Sequence, residues 1–337
     1  MLKLKKAYLN LIEREDKRIL EKFIYIFLII LSYIYGAVIY LRNFLFDHKI
    51  ITVYSLNKKV IGVGNISWGG SGTTSLVIYL HKRLSSSFKV ASLTKGYARD
   101  EFTLLKNKLG NVFDGKDRVS ILKKLVNDYD VFILDDSFQY RKLKKDLEIL
   151  VMGAKEFRRT KRLIPAYIFR EPLKSINRAD ILIITYKEMI ANRERIKAFI
   201  WEFKPTLPIF FASYEFKSFL DRYNNPKDLD YFKGKYLGVL TAVGYPEGFL
   251  FTLKKLGLQI KKIFAYPDHY NFTDRDIISI EREFTKENVS DVIITYKDFY
   301  HLDFQRVRKN YFIFDVELKL EEENIFWQVV NSKLKGI

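Results

Sequence analysis

The feature that most constrains this chain is a glycine-rich run, Gly64-Asn65-Ile66-Ser67-Trp68-Gly69-Gly70-Ser71-Gly72-Thr73-Thr74-Ser75, set between an apolar stretch, Val60-Ile61-Gly62-Val63, and an amphipathic one, Thr73 to Leu84. A strand that enters a helix through glycines turns backbone N–H groups inward and presents a helix N-terminus, which together suit phosphate oxygens. Thr74 stands where such a loop offers a hydroxyl to Mg²⁺. The run departs from G-x-x-x-x-G-K-S/T at two places, Ser67 for the first glycine and Thr73 for the lysine. Glycine-rich strand-to-helix turns also serve packing alone, so the segment by itself leaves both readings open.

The rest of the chain favours the nucleotide reading. Apolar runs recur at Val90–Leu93, Val131–Leu134, Ile149–Met152 and Ile181–Ile184, with helical segments such as Thr73–Leu84 and Val119–Asn127 between them. Continuous apolar runs of that length read as buried parallel strands. The expected fold is therefore α/β: a P-loop NTPase-like, mostly parallel sheet covered by helices, with a second, smaller α/β domain. Polar, proline-containing sequence over 217–230 marks the boundary, and Tyr236–Leu240, Ile260–Phe264, Val292–Thr295 and Tyr311–Phe314 supply the second series, closed by a helix over 318–335. The expected domains are 1–50, a basic segment with an apolar helix; 51–225, nucleotide-binding; and 226–337, the smaller domain. Val131–Leu134 ends in Asp135-Asp136, and carboxylates at a strand's C-terminal end can reach a phosphate-bound Mg²⁺.

Charge and hydropathy point to the surroundings. The chain carries 58 Lys and Arg against 40 Asp and Glu, a net +18 that must be drawn to something anionic. With no cysteine there is no disulfide, thiolate metal site or cysteine nucleophile. Phe23 to Leu41 runs nineteen residues without an ionisable Asp, Glu, Lys, Arg or His, long enough to span a bilayer. Seven Lys and Arg within Met1–Lys22 would keep the N-terminus cytoplasmic and export the remainder of the chain, away from ATP. A helix lying in the cytoplasmic face of a membrane, peripheral or monotopic, fits better than a crossing. Tyr25, Tyr33, Tyr35 and Tyr40 favour an interface over a buried core helix. Basic residues spread along the chain, with aromatics inside apolar runs, give no nucleic-acid footprint.

Asp135-Asp136-Ser137-Phe138-Gln139-Tyr140-Arg141 resembles the D-D-G-F-Q-H-R motif of the tetraacyldisaccharide 4′-kinases, the lipid A 4′-kinases. Other motifs recur in that family's order. The glycine run resembles its G-N-x-x-x-G-G-x-G-K-T, Lys95-Gly96-Tyr97-Ala98-Arg99 its R-G-Y-x-R, and Leu163–Ala166 with Arg170–Leu173 its L-P-A-G and R-E-P-L. Gly244–Phe249, Pro267–Tyr270 and Thr295–Asp298 resemble its G-I-G-x-P-x-x-F, P-D-H-x and T-x-K-D. The resemblance implies an inner-membrane kinase that moves the ATP γ-phosphate to the 4′-hydroxyl of an anionic glycolipid, tetraacyldisaccharide 1-phosphate. Its partners would be ATP, Mg²⁺, that lipid and the membrane surface. Ser67, Trp68, Gly69, Gly70, Ser71, Gly72, Thr73, Thr74 and Gln139 would hold the nucleotide, and Thr74, Asp135 and Asp136 the metal. Asp100, the counterpart of the aspartate in the family's D-E-P, would be the base, His269 would orient it, and Asp136 would also serve the chemistry. Asp100 follows Arg99 directly, where the family places a β-hairpin between the two motifs.

Three positions that would serve phosphates or substrate have changed together, Thr73 for lysine, Ser137 for glycine and Tyr140 for histidine, and Tyr167 replaces the glycine of L-P-A-G. Two readings remain: an active lipid kinase, with Lys95 a candidate to reach the phosphates, or a catalytically impaired paralogue that binds nucleotide or lipid and regulates envelope synthesis. Arg141 and Arg170 would either clamp phosphates or pair with Asp146 and Glu171.

Overall fold

The computed structural model describes residues 8, 11, 12, 14 and 16–334 other than 69, 97, 98, 159, 160, 187–191, 244, 245, 268 and 269; the side chains of 99–101 and 158 also lie outside the described set. The chain forms two compact units, one from residues 3–213 with 318–337 and the other from 214–317.

The first unit contains helix α1 (Ile19–Asp47), β1 (Lys59–Gly64), α2 (Thr73–Leu84), β2 (Val90–Thr94), α3 (Arg99–Leu109), β3 (Val112–Asp114), α4 (Arg118–Leu125), β4 (Val131–Leu134), β5 (Leu147–Gly153), β6 (Ile181–Thr185), α5 (Arg193–Trp201) and the start of β7 (Ile209–Leu220). Its strands run β7-β6-β5-β1-β4-β2-β3, with every pairing parallel. Strands β2, β4 and β6 are buried at every residue, as a sheet covered on both faces requires. One hydrophobic layer gathers Val60, Leu93, Leu122 and Leu134; another gathers Ile66, Phe138, Leu150, Phe169 and Ile200. From β1 the chain moves outward to β2 and β3, returns to place β4 beside β1, and then builds β5 on β1's other side. Such a reversal opens a crevice at the carboxyl ends of the two strands it separates.

The second unit takes the rest of β7, then β8 (Pro226–Lys227), β9 (Tyr236–Thr241), α6 (Pro246–Lys255), β10 (Gln259–Ala265), α7 (Asp274–Lys286), β11 (Asp291–Ile294), α8 (Tyr296–Phe299) and most of β12 (Asn310–Leu320). Strands β10, β9, β11 and β12 pair in parallel in that order, and β8 turns back antiparallel on β7. A Cβ at Gly238 would stand 2.4 Å from the Phe284 ring, so the glycine lets α7 approach β9. The last helix, α9 (Glu323–Leu334), belongs to the first unit.

This division differs from the one expected from sequence. Residues 217–220, expected as linker, continue β7, and the units part at 213/214. Residues 318–320 continue β12, so the final helix begins at Glu323. It falls with the first unit because Phe326 packs on Phe210 of β7, ring centroids 5.4 Å apart, and on Tyr79 of α2 at 6.5 Å. Strand β3 and helix α3 were not foreseen: β3 has three residues, and α3 is polar overall, with Phe102, Leu104, Leu105 and Leu109 its apolar side chains.

Helix α1 is the one candidate membrane span among the described residues, by length and composition, and only 11% of its most apolar window is buried. That excludes the core-helix alternative. Its inward face carries polar groups directed at one distant segment. Ser32 Oγ donates to the Leu163 carbonyl (2.9 Å) and Tyr35 OH to the Arg170 carbonyl (2.8 Å). Arg42 Nη2 and Asn43 Nδ2 donate to opposite oxygens of Glu171, at 2.9 and 3.2 Å. Phe23, Phe27, Ile30, Ile34 and Leu41 face outward, exposed.

Candidate active site

The glycine run leaves β1 at the sheet's point of reversal. Gly64 is glycine because a Cβ there would stand 2.4 Å from the Phe138 backbone N, where the segment following β4 crosses. Gly72 precedes α2 with φ +95°, a left-handed conformation in which glycine carries no steric penalty. Gly70 is exposed and a Cβ there would meet nothing within 4 Å, so packing does not require it. Open space above a glycine at a helix N-terminus is what an incoming phosphate needs.

Side chains brace the loop from four directions. Asn65 Nδ2 donates to Ser71 Oγ (2.8 Å) across the turn. Thr185 Oγ1, at the end of β6, donates to the Ser71 carbonyl (2.7 Å). Gln139 Nε2 donates to the Asn65 carbonyl (2.8 Å). Arg170 Nη2 donates to the Asn65 side-chain oxygen as well as its carbonyl. The Leu163–Glu171 segment also pairs with the loop as backbone: Trp68 N donates to the Ile168 carbonyl and Arg170 N to the Ile66 carbonyl, each at 2.7 Å. The contacts of α1 therefore end on the same segment that braces the loop.

At the end of β4 the two aspartates separate. Asp135 is buried and accepts from Thr74 Oγ1 at 3.2 Å. Asp136 has φ +44°, which swings its carboxylate out of line with the strand. There it receives both terminal nitrogens of Arg170, at 3.1 and 2.6 Å, and Lys95 Nζ at 3.5 Å. Behind them Arg118, 1% exposed, donates to the Asp135 carbonyl at 2.6 Å. Burial pushes the Asp136 carboxyl upward, but the hydrogen bonds and charge of Arg170, with Lys95 and Arg118, outweigh it and hold the pKa below the ordinary aspartate value.

Hard oxygen donors in this arrangement suit Mg²⁺. Neighbouring ligands of an octahedron with bonds of about 2.1 Å stand roughly 3 Å apart, close to the 3.2 Å between Thr74 Oγ1 and Asp135 Oδ2. Mg²⁺ typically takes one or two carboxylates and completes its shell with water and phosphate, so no cage of three acidic or histidine groups is needed, and none occurs among the described residues.

Of the residues expected at the site, Ser67, Ser71, Gly72, Thr73, Thr74, Gln139, Asp135 and Asp136 are brought together. Trp68 is exposed on the loop. Gln139 is a brace of the loop, and its Oε1 is buried without a partner. Gly69 and His269 lie outside the described residues, and Asp100 is the second residue of α3 with its side chain outside them. The expected pairings of the arginines are corrected: Arg170 holds Asp136 instead of Glu171, and Arg141 holds Asp47 and the Asn43 carbonyl on α1 instead of Asp146. Sequence reasoning missed Arg118 and Thr185, which have no motif of their own. It gave Glu171 only a pairing with Arg170; this buried carboxylate instead joins Arg42, Asn43, Ser175 and Arg178. Asp298 of the T-x-K-D motif proves to be a buried brace, accepting from Ala242 N at 2.6 Å and Thr295 N at 2.9 Å.

Sheet order, loop, hydroxyl and paired carboxylates define a P-loop nucleotide-binding protein of the phosphotransferase type. The chain belongs to the tetraacyldisaccharide-1-P 4′-kinase family, whose sequence model matches residues 24–102 and 98–335. The two matched segments overlap over residues 98–102, which include Asp100. A tetraacyldisaccharide 4′-kinase of Aquifex aeolicus is 33% identical over 318 residues, covering 87% of this chain and 93% of the relative. One from Halothermothrix orenii is 27% identical, covering 98% of each. The crystal structure of LpxK from Aquifex aeolicus in complex with ATP superposes with a TM-score of 0.72 at 31% identity, over 90% of this chain and 97% of that one.

Proposed function

We propose that this chain transfers the γ-phosphate of ATP to the 4′-hydroxyl of a tetraacyldisaccharide 1-phosphate, at the cytoplasmic face of the inner membrane. The observation that carries the reading is the Thr74–Asp135 contact beneath a glycine loop at the sheet's reversal point. Residues 67–74 receive the phosphates through backbone N–H groups and the start of α2. Mg²⁺, held by Thr74 with Asp135 or Asp136, would neutralise charge on the phosphates. Arg170 keeps Asp136 ionised and in place. Asp100 accepts the proton of the sugar hydroxyl and His269 orients it, roles that rest on their family motifs. The outward apolar face of α1 and the basic surplus hold the enzyme against anionic lipid, where its substrate lies.

The paralogue reading draws on the four altered family positions, and three of them are packing positions. Ser137 is fully buried with its Oγ on the Val63 carbonyl. Tyr140 packs against the layer of Val60 and Leu134 beside the Arg118 guanidinium. Tyr167 is 3% exposed in the layer of Ile66 and Phe169. Only Thr73 stands at the phosphate end of α2. In a cell depleted of its own kinase of this family, the chain is expected to restore 4′-phosphorylated lipid A and its Asp135→Asn variant is not. Lipid left monophosphorylated by the parent chain would favour the paralogue.

A further inference from the structure

We infer that Lys95 supplies, from the end of β2, the positive charge that a phosphate loop ordinarily places at the position of Thr73. The inference rests on the kinase reading and assigns it a residue. Phosphoryl transfer spreads negative charge over the γ-phosphate oxygens, and a loop without its lysine has no cation at the start of the helix to meet it. Thr73 carries no charge.

Among the described residues three cations surround the aspartate pair, and their placement separates their tasks. Arg118 is buried behind the strand ends and turned to the Asp135 carbonyl. Arg170 is 20% exposed and has both terminal nitrogens on Asp136, one of them also on Asn65. Lys95 has a side chain 45% exposed, with Nζ at the outer edge of the same carboxylate, 3.5 Å away. Its position comes from the sheet. Leu134 of β4 pairs with Gly62 of β1 on one side and Leu93 of β2 on the other. The residues just past each strand, namely the glycine loop, Asp135-Asp136 and Lys95, therefore leave the sheet at one level. Gly96, with φ +79°, turns the chain immediately after Lys95 and keeps it at this edge. The four-carbon stem of a lysine allows Nζ to leave the carboxylate for a phosphate oxygen without moving the backbone. Arg170 then keeps Asp136 paired, and a lysine at 73 becomes dispensable.

The test is a swap in the full-length protein in detergent, comparing the parent, Lys95→Gln, Thr73→Lys and the double variant. Lys95→Gln is expected to lower kcat roughly a hundredfold, to abolish the preference for ATP over ADP in a nucleotide-binding titration, and to leave ADP affinity and the lipid KM near the parent's. Adding Thr73→Lys to Lys95→Gln is expected to restore most of both losses. Lys95→Gln within threefold of the parent in kcat and in ATP-over-ADP preference overturns the inference, as does a double variant that binds ADP but regains neither property. A parent that transfers no phosphate while Lys95→Gln still erases its ATP preference would overturn the kinase reading and leave the assignment of Lys95 standing.

Discussion

Asp135 and Asp136 are adjacent in sequence, yet the positive φ of Asp136 sends one carboxylate to the Thr74 hydroxyl and the other to Arg170. Thr74→Val removes an oxygen from the pair suited to the metal and is expected to weaken Mg²⁺-dependent turnover roughly ten- to hundredfold, measured as a shift in the Mg²⁺ concentration at half-maximal rate. Asp136 has its folded-state pKa below the ordinary value. Its ionised form therefore stabilises the fold above the ordinary aspartate range, and this contribution is lost only as pH falls through the lower folded value. Arg170→Gln leaves burial as the dominant influence, so the carboxyl pKa climbs and the acid limb of the kcat profile is expected to move to higher pH. Arg170→Lys is not expected to move it back, since a single ammonium cannot make the two-nitrogen contact. An acid limb that stays in place in both variants would show that Asp136 ionisation does not govern turnover. The aspartate pair was legible from sequence because a strand and its terminal carboxylates are contiguous. Arg118 was not, and Arg170 was singled out without its true partner, because the partners lie 17 and 34 positions away.

Helix α1 was legible as an apolar run, but its anchoring was hidden, because Ser32 and Asn43 meet partners 131 and 128 residues distant. Strand β7 was hidden for another reason: Ser213, Glu215, Lys217 and Ser218 interrupt its second half with polar residues that resemble a linker. Glu171 is the point at which α1 is fastened. Burial raises its pKa, but the hydrogen bond and charge of Arg178, with Arg42 and Ser175, bring it down from 4.5 to about 2. A buried carboxylate so displaced contributes on the order of 3 kcal/mol at neutral pH. Because the folded pKa is the lower one, that stability is present above pH 4.5 and is lost as pH falls from there toward about 2. Glu171→Gln is expected to lower the urea midpoint strongly at pH 7 and progressively less as the pH is taken below 4.5. An equal loss at every pH would mean that charge is not what fastens the helix. Since Arg170 is the preceding residue and accepts a hydrogen bond from Tyr35 at its carbonyl, Glu171→Gln is also expected to reduce kcat more than its effect on folding explains.

For the whole molecule, an exposed apolar helix face and a net charge of +18 are together suited to an anionic lipid surface, the setting proposed for this chain. Replacing Phe23, Phe27 and Ile30 with glutamate is expected to abolish co-sedimentation with anionic vesicles while leaving turnover on detergent-dispersed lipid near the parent's, because these side chains face away from the unit. Fold class was readable because apolar runs set the strands and their spacing set a parallel sheet. The division into units was not, because β7 and β12 each run from one unit into the other and carry the C-terminal helix back. The central claim is that a phosphate loop with Thr73 in place of lysine still transfers phosphate. The most direct measurement is label transfer from γ-labelled ATP to purified tetraacyldisaccharide 1-phosphate by the full-length protein in detergent with Mg²⁺, run beside the Aquifex aeolicus relative. The account predicts lipid product labelled at the 4′ position and no label with Asp135→Asn; an unlabelled lipid from the parent chain, with the relative active alongside, would contradict it.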